Sequence, residues 1–269
     1  MKVAIVSNHA KKSKEVAAEL MRLLANAQIP INQEQPTVVI TVGGDGTLLS
    51  AFHKYHHLID DVRFIGVHTG HLGFYTDWRD YELGLLVSSL QEDQGQSVSY
   101  PLLDVQLTFN DGTASEVQTV LNEATIRNTV RTMVAKVAIK DDCFEMYRGD
   151  GLSVSTPTGS TAYSKSLGGA VVHPRVNALQ LNEIASINNR VYRSLGSPMI
   201  IAPDEWITIE LKQDDHYQLH LDHYVRQYRN LCSLKLALSQ KRIHFVSYRH
   251  THFWSRVNDA FIGTVKDDD

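Results

Sequence analysis

The first hundred residues alternate between short apolar runs and longer stretches with helical spacing. Residues 3–6, 38–42 and 63–67 are apolar runs of the kind that forms buried strands. Apolar residues recur with helical spacing over 14–24 and again over 80–90. Strands and helices in alternation predict βαβ units with a parallel sheet. We therefore predict an α/β domain over residues 1–99.

The central stretch of this domain, VVITVGGDGTLLSAFHKY, predicts a strand, a glycine turn and a helix. Its GGDGT sequence at 43–47 lets the backbone approach a ligand, and a helix N-terminus attracts phosphate. Asp45 is out of place beside phosphate, because two negative charges repel each other. Such a carboxylate is expected to accept a proton from an attacking hydroxyl or to hold a cation. The alternative is that Asp45 helps to cap its own helix.

A second glycine turn, HTGHLGF at 68–74, follows the third apolar run. Ligands of parallel sheets bind beyond the carboxyl ends of the strands, where both glycine turns are expected to lie. The pattern favours a shared site at that edge, and the alternative is a plain loop.

The second half of the chain changes to short strands with alternating polarity, separated by turn signals such as Asn110-Asp111-Gly112. This spacing predicts an antiparallel, sandwich-like all-β domain over residues 100–250. Residues 251–269 are predicted to form a helix and an acidic tail that pack on the first domain. Trp254, Val257 and Phe261 have helical spacing, so we expect them to pack in a core.

Two segments of this half carry polar groups suited to a nucleotide. Asn122-Glu123 interrupts an apolar alternation, and could bind ribose hydroxyls, bind a cation or simply form a solvated strand end. The stretch GDGLSVSTPTGSTAYSKSLGGAVVHP at 149–174 offers hydroxyls, glycines and one aromatic face. Three histidines follow at 216, 220 and 223, but strand alternation places the third on the opposite face, so we predict no shared metal.

Composition excludes several classes of protein. The 269 residues carry a formal net charge of −4, which argues against non-specific nucleic-acid binding. The two cysteines lack metal-ligand spacing and are expected to be free thiols. Because no apolar stretch suits a signal peptide or a membrane span, we expect a cytoplasmic protein. The chain has no GxxxxGK motif, and Leu49 breaks a GxGxxG pattern, so a dehydrogenase is poorly supported.

Taken in order, these motifs resemble the NAD kinase family. The match comprises GGDGT at 43–47, LGF at 72–74, Asn122-Glu123 and the 149–174 stretch, of which TPTGSTAYSKSLGG is the most specific part. The short N-terminus and the segment ASINNRVYR look most like the Gram-positive bacterial branch. Three positions depart from the family pattern: Thr156 replaces an expected serine, His68 an expected asparagine, and Leu221-Asp222-His223 stands where many members have Asp-Gly.

The resemblance implies transfer of a phosphoryl group from ATP, or from polyphosphate, to the adenosine-ribose 2′-hydroxyl of NAD. Asp45 would accept or orient the hydroxyl proton, and Gly43, Gly44, Gly46 and Thr47 would hold donor phosphates. The implied NAD-binding residues are Phe74, Asn122, Glu123, Arg148, Asp150, Thr161, Ala162, Tyr163, Ser164, Lys165, Ser166, Ala185 and His223.

The resemblance further implies Mg²⁺ or another divalent cation, no nucleic-acid or membrane partner, and a homotetramer or homodimer. Two alternatives stay open from the residues: a lipid kinase of the GGDGT type and a non-catalytic NAD-binding regulator. The residues leave open the choice between ATP and polyphosphate, the acceptance of NADH, the metal ligands and any regulation.

Overall fold

The computed structural model describes residues 1–70, 72–213, 215–249 and 252–263. They form two compact units, one made of residues 1–99 with the chain from Arg242 onward, the other of residues 100–241. His71 of the second glycine turn and the acidic tail at 264–269 lie outside the described residues.

The first unit is built on a parallel sheet. Its elements are β1 (Val3–Ser7), α1 (Lys11–Asn26), β2 (Val38–Val42), α2 (Asp45–Tyr55), a 3-10 turn (His56–Leu58), β3 (Arg63–His68), β4 (Trp78–Arg79) and α3 (Leu83–Gln91). Strands β1, β2, β3 and β4 pair in parallel, in that order. The predicted α/β fold with a parallel sheet is confirmed.

Two helices of this unit begin at other residues than the periodicity suggested. Helix α1 begins at Lys11 rather than at 14, and it buries Ser13, whose Oγ lies 2.9 Å from Thr69 Oγ1. The helix predicted over 80–90 begins at Leu83, because Trp78 and Arg79 extend the sheet beside β3. Both differences arise from partners distant in the sequence.

The second unit consists of two antiparallel sheets. Its strands are β5 (Ser97–Phe109), β6 (Gln118–Val120), β7 (Glu123–Asn128), β8 (Met133–Ile139), β9 (Asp142–Gly149), β10 (Gly151–Ser155), β11 (Leu179–Ile184), β12 (Met199–Ile201), β13 (Trp206–Leu211), β14 (Tyr217–Leu221), β15 (Tyr224–Tyr228) and β16 (Leu231–Val246). A 3-10 turn (Thr158–Thr161) and helix α4 (Tyr163–Ser166) follow β10. One sheet has the order β12-β11-β10-β7-β14-β15, and β16, β13, β8 and β9 are neighbours in the other.

Both sheets bury one face in a common apolar core. Ile126 and Leu152 from the six-stranded sheet belong to the same cluster as Val137 and Ile209 from the other. The predicted sandwich-like all-β fold is therefore confirmed. Strand β5 begins at Ser97 in the first unit, and the last residues of β16 pair in parallel with β3, also in the first unit.

The C-terminal helix α5 (Phe253–Phe261) belongs to the first unit, as predicted. The predicted packing in a core is wrong for Trp254 and Phe261, and Val257 is half-buried. Trp254 is 48% exposed and Phe261 is 42% exposed, whereas Phe253 and Arg256 are buried. The periodicity predicted that the larger apolar residues are buried. The helix buries Arg256 instead, because its guanidinium donates hydrogen bonds to backbone carbonyls there.

A partly buried ion pair in this unit provides a stability test. Arg63 donates two hydrogen bonds to Asp93, of 2.8 and 2.5 Å, and they lower the pKa of that carboxyl to about 2. Since the pKa is lower in the folded protein, the stabilisation is present above pH 4 and is lost as the pH falls towards 2. We expect Asp93→Asn to cost about 1–2 kcal/mol at pH 7, with the difference shrinking below pH 4.

Urea unfolding of both proteins between pH 2 and 7 measures this difference. Asp204→Asn is the matched control, because Asp204 pairs with Lys140 at an exposed site, where solvent screens the pair, and it should leave the unfolding midpoint nearly unchanged at every pH. An Asp93→Asn penalty that does not vary with pH would contradict the assignment.

Candidate functional site

A cavity of about 480 Å³ opens at the carboxyl ends of β1 and β2. Its lining residues are Val6, Ser7, Asn8, His9, Gly44, Gly46, Thr47 and Ser50. Gly44 is the N-cap of α2, and no side chain caps this end of the helix. An uncapped helix N-terminus opening on a cavity suits an anionic group such as phosphate.

The glycines of this turn have different tasks. Gly43 has a φ of +154°, and a Cβ there would lie 2.3 Å from Thr47 Oγ1, so the turn needs glycine at this position. A Cβ on Gly44 or Gly46 would meet nothing within 4 Å. These two glycines therefore leave the floor of the cavity open.

Asp45 joins the two glycine turns. Its Oδ2 accepts a hydrogen bond of 2.9 Å from the backbone N–H of Phe74, and its Oδ1 accepts one of 3.1 Å from that of Tyr75. The alternative in which Asp45 caps its own helix is wrong, since the carboxylate turns to the neighbouring loop. The two glycine turns therefore meet at one edge of the sheet, as predicted.

Gly73 makes this contact possible, and sequence reasoning gave it no separate role. A Cβ at Gly73 would lie 2.2 Å from Asp45 Oδ1, which is well inside van der Waals contact. The Gly73 N–H in turn donates to Thr76 Oγ1 at 3.1 Å. The LGF motif was the available signal, because it places a glycine directly before the residue that binds Asp45.

In the second unit, the Asn122-Glu123 step and the TPTG turn lie side by side. The N–H of Thr156 donates to the Asn122 carbonyl at 2.9 Å, and Thr156 Oγ1 donates to the Leu121 carbonyl at 2.6 Å. A Cβ at Gly159 would lie 2.1 Å from the Asn122 carbonyl oxygen. The structure thus brings together two segments that the sequence separates by more than thirty residues.

Asp222 completes this cluster, and sequence reasoning missed its role. Its carboxylate accepts hydrogen bonds from the N–H groups of Leu121 and Asn122, at 3.0 and 2.7 Å. Asp222 has a φ of +53°, a left-handed conformation that asparagine and aspartate tolerate better than most residues. The available signal was the Leu221-Asp222-His223 step, where an aspartate stands at the end of a strand.

Glu123 lies at the centre of the cluster and is 9% exposed. Burial, and then the nearby Asp222 carboxylate, raise the pKa of Glu123 to about 8. Within the described part of the chain, Glu123 Oε2, Ser155 Oγ and Thr158 Oγ1 are buried without a hydrogen-bond partner. Buried polar atoms are normally paired, so such a group marks a place where polar groups of a ligand can bind.

A second set of predicted residues lies at the opposite end of the six-stranded sheet. The N–H of Asp150 donates to the Ile184 carbonyl at 2.9 Å, which places Asp150 beside Ala185. The Arg148 guanidinium lies 5.2 Å from the ring of Tyr192. In the pairing of β7 with β10, Glu123 opposes Ser155 and Arg127 opposes Gly151. Four residues of strand, about 13 Å, therefore separate the two groups.

Ser164, one of the predicted NAD-binding residues, makes its hydrogen bonds within the protein. Its hydroxyl is buried, donates to Asn182 Oδ1 at 3.0 Å and accepts from the Gln180 amide at 2.7 Å. It therefore holds the segment onto β11. Of its neighbours, Tyr163 is half-buried, and Lys165 is exposed. Thr161 and Ala162 are also half-buried, and Ser166 and His223 are exposed.

Neither a cluster of metal ligands nor a membrane-spanning helix is present in the described ranges. In residues 1–70, 72–213, 215–249 and 252–263, no three His, Cys, Asp or Glu side chains converge as metal ligands. His220 Nε2 lies 3.0 Å from Gln218 Oε1. No helix in those same ranges has both the length and the apolar character needed to cross a bilayer.

Two family models match the chain in its two halves. The ATP-NAD kinase N-terminal domain matches residues 30–93, and the ATP-NAD kinase C-terminal domain matches residues 120–232. The chain belongs to the NAD kinase family. An NAD kinase of Enterococcus faecalis is 59% identical over 263 residues, covering 98% of this chain and 99% of that protein. An NAD kinase of Lactobacillus gasseri is 56% identical, with 99% of each chain covered.

Solved structures of this family share the fold. Yeast NADH kinase, complexed with NADH, superposes with a TM-score of 0.84 at 20% identity, covering 100% of this chain and 89% of that one. An NAD kinase from Archaeoglobus fulgidus, in complex with ATP, gives 0.73 at 19% identity, with 92% and 94% covered. The predicted family and its Gram-positive branch are confirmed, and so is the predicted activity, the phosphorylation of NAD to NADP.

The contact between Gly73 and Asp45 can be tested by adding one methyl group. We expect Gly73→Ala to lower kcat at least about tenfold, because the new Cβ must displace the carboxylate. Gly70→Ala is the matched control in the same loop, since a Cβ there meets nothing within 4 Å. Steady-state kinetics of both variants make the comparison, and equal turnover in the two would refute the role of Gly73.

The raised pKa of Glu123 predicts a dependence of stability on pH. The unfolded chain releases this proton near pH 4.5, whereas the folded chain keeps it up to about pH 8. Folding therefore becomes less favourable as the pH rises between these values, and the effect levels off above 8. We expect Glu123→Gln, which cannot ionise, to gain stability relative to the unmodified chain from pH 5 to 8.5.

Thermal unfolding across this pH range measures the gain. Glu116→Gln, at an exposed glutamate, is the control and should follow the unmodified chain. A stability difference for Glu123→Gln that stays constant with pH would contradict the assignment.

Proposed function

We propose that Asp45 orients the adenosine 2′-hydroxyl of NAD and receives its proton, while the cavity beside it holds the phosphates of the donor. The observation that carries this proposal is the position of the Asp45 carboxylate, fixed by two backbone N–H groups at the first turn of the helix that borders the cavity. The acceptor group and the phosphate pocket thus belong to one short segment.

The chemistry fits this arrangement. Each carboxylate oxygen has a second lone pair, so Asp45 can accept a hydrogen bond from a substrate hydroxyl while both backbone bonds stay in place. Transfer of a phosphoryl group passes through a loose transition state, in which alignment and charge neutralisation dominate. A carboxylate that is held at both oxygens aligns the attacking hydroxyl without first losing freedom of its own.

The donor phosphates would meet the N-terminus of α2 and the open floor at Gly44 and Gly46. Thr47 lines the same cavity and is within reach of an anion there. The described residues do not form a cation cage of their own. Mg²⁺ commonly binds through one or two carboxylates together with substrate phosphates, and its chemistry here would be to neutralise phosphate charge. The requirement for a divalent cation stays a prediction.

NAD would bind the cluster around Glu123 in the second unit. Orphan buried oxygens of Glu123, Ser155 and Thr158 offer it hydrogen bonds, and Tyr163 offers a flat face. Arg148, Asp150 and Ala185 lie at the other end of the sheet, so we propose that they serve the site of a second copy of the chain. Sharing of this kind would require the predicted homodimer or homotetramer, which stays a prediction. The cytoplasmic location also stays a prediction.

The two alternative functions have lost their support. The relatives named NAD kinase match over nearly the whole chain, and no observation favours a lipid acceptor or a regulator without catalysis. Formation of NADP from NAD, followed with a dehydrogenase specific for NADP, tests the proposal directly. Parallel reactions with ATP and with polyphosphate identify the donor.

The proposed role of Asp45 is tested by Asp45→Asn. We expect kcat to fall at least about 100-fold, because the amide cannot take the proton, with NAD affinity changed less than about threefold. Turnover and calorimetric binding of NAD provide the two numbers. Asp61→Asn, at an exposed carboxylate, is the control and should retain full turnover. Turnover near that of the unmodified chain in Asp45→Asn would overturn the role.

A further inference from the structure

The C-terminal helix α5 turns an arginine into the interior of the first unit. Arg256 is only 6% exposed, and its guanidinium donates hydrogen bonds to the carbonyls of Gly73, Phe74 and Thr76, at 3.1, 2.8 and 3.0 Å. It also pairs with the Asp77 carboxylate. A buried cation destabilises a protein unless it is fully paired. Loss of the hydrogen bonds between this loop and Arg256 would therefore lower the stability of the folded chain.

The carbonyls that Arg256 binds belong to the same peptide groups whose N–H groups bind Asp45. The Gly73 carbonyl and the Phe74 N–H are the two ends of one peptide group, and so are the Phe74 carbonyl and the Tyr75 N–H. Arg256 holds both groups by their oxygens, and Asp45 holds them by their nitrogens. Because a peptide group is planar and rigid, fixing its oxygen fixes the direction of its N–H.

We propose that Arg256 is a positioning residue for phosphoryl transfer, which sets the place of the Asp45 carboxylate through two intervening peptide groups. The inference rests on the proposed role of Asp45. Arg256 hydrogen-bonds to the loop at 73–77, and its effect on Asp45 passes through this loop. Its positive charge also polarises both peptide groups and strengthens their N–H donors towards the carboxylate.

The same helix supports this loop by a second, apolar contact. The Phe74 ring lies 5.7 Å from the ring of Phe261 and 6.4 Å from that of Phe253. Phe74 is one of the predicted NAD-binding residues. Helix α5 therefore contacts the Phe74 side chain directly and supports the Asp45 carboxylate through the loop. The three carbonyls accept from Nη1 of Arg256, and the Asp77 carboxylate accepts from Nη2. The single nitrogen of lysine cannot hold both positions of this planar fork.

The experiment compares Arg256→Met and Arg256→Lys with Arg249→Met. Arg249 is the matched control, because it lies just before α5, pairs with Glu82 and is half-exposed. Two quantities are measured on the full chain: kcat with the KM for each substrate, and hydrogen exchange of peptides covering residues 72–78. The exchange measurement reads the N–H groups of Phe74 and Tyr75 and does not depend on activity.

We expect Arg256→Met to lower kcat about 10- to 100-fold, with the KM for ATP changed less than about threefold, because the cavity lining does not include the loop. Exchange at 74 and 75 should become at least about tenfold faster. Arg256→Lys should lie between Arg256→Met and the unmodified chain in both measurements, and Arg249→Met should match the unmodified chain.

A folded Arg256→Met variant with undiminished kcat would overturn the inference. A lowered kcat with unchanged exchange at 74 and 75 would do the same, since the arginine would then act by another route. If Arg256→Met does not fold, Arg256→Lys carries the test with the same two measurements. Full turnover in Asp45→Asn would refute the role of Asp45 and, with it, the catalytic role of Arg256. The exchange result distinguishes this case, because it still reports whether Arg256 holds the loop.

Discussion

The hydrogen bonds between the Asp45 carboxylate and the backbone at Phe74 and Tyr75 organise the first unit of this chain. They connect the turn after β2 to the turn after β3, which are neighbouring strands of the sheet. A carboxylate that receives two N–H donors stays in one orientation, and the residues on either side of it, Gly44 and Gly46, line the cavity. Two glycines permit this approach, Gly43 by its backbone conformation and Gly73 by the absence of a Cβ.

In the second unit, too, a carboxylate holds a turn of the backbone by accepting hydrogen bonds from N–H groups. The Asp222 carboxylate accepts N–H groups of the backbone at 121 and 122, and so shapes the step that presents Asn122 and Glu123. Burial, and then the negative charge of the nearby Asp222, raise the pKa of Glu123, which therefore keeps its proton more readily. Glu123 is therefore expected to act as a neutral hydrogen-bonding group at neutral pH, whereas Asp222 holds the backbone.

Several features could be predicted because they depend on neighbours in the sequence. Apolar runs and helical spacing predicted the parallel sheet, and the alternation of short strands predicted the sandwich. Glycine turns after two successive strands predicted that 43–47 and 68–74 would meet, because parallel strands end at one edge. Local pattern could not predict which face α5 buries, since the preference for Arg256 over Trp254 depends on carbonyls more than 170 residues away.

The sequence by itself determined the elements, the family and the residues with the chemistry for phosphoryl transfer. Composition and periodicity act over a few residues, and motifs such as GGDGT and TPTGSTAYSKSLGG are read directly from the chain. Only the tertiary structure decided the partners of those residues. In the folded chain, the buried Ser164 hydroxyl bonds to Asn182, and the Asp222 carboxylate accepts the N–H of Asn122. Arg256 binds the carbonyl of Gly73 in the loop that holds Asp45. These partners are distant in the sequence. Local pattern could not identify them, because a buried polar group pairs with whichever group the fold brings beside it.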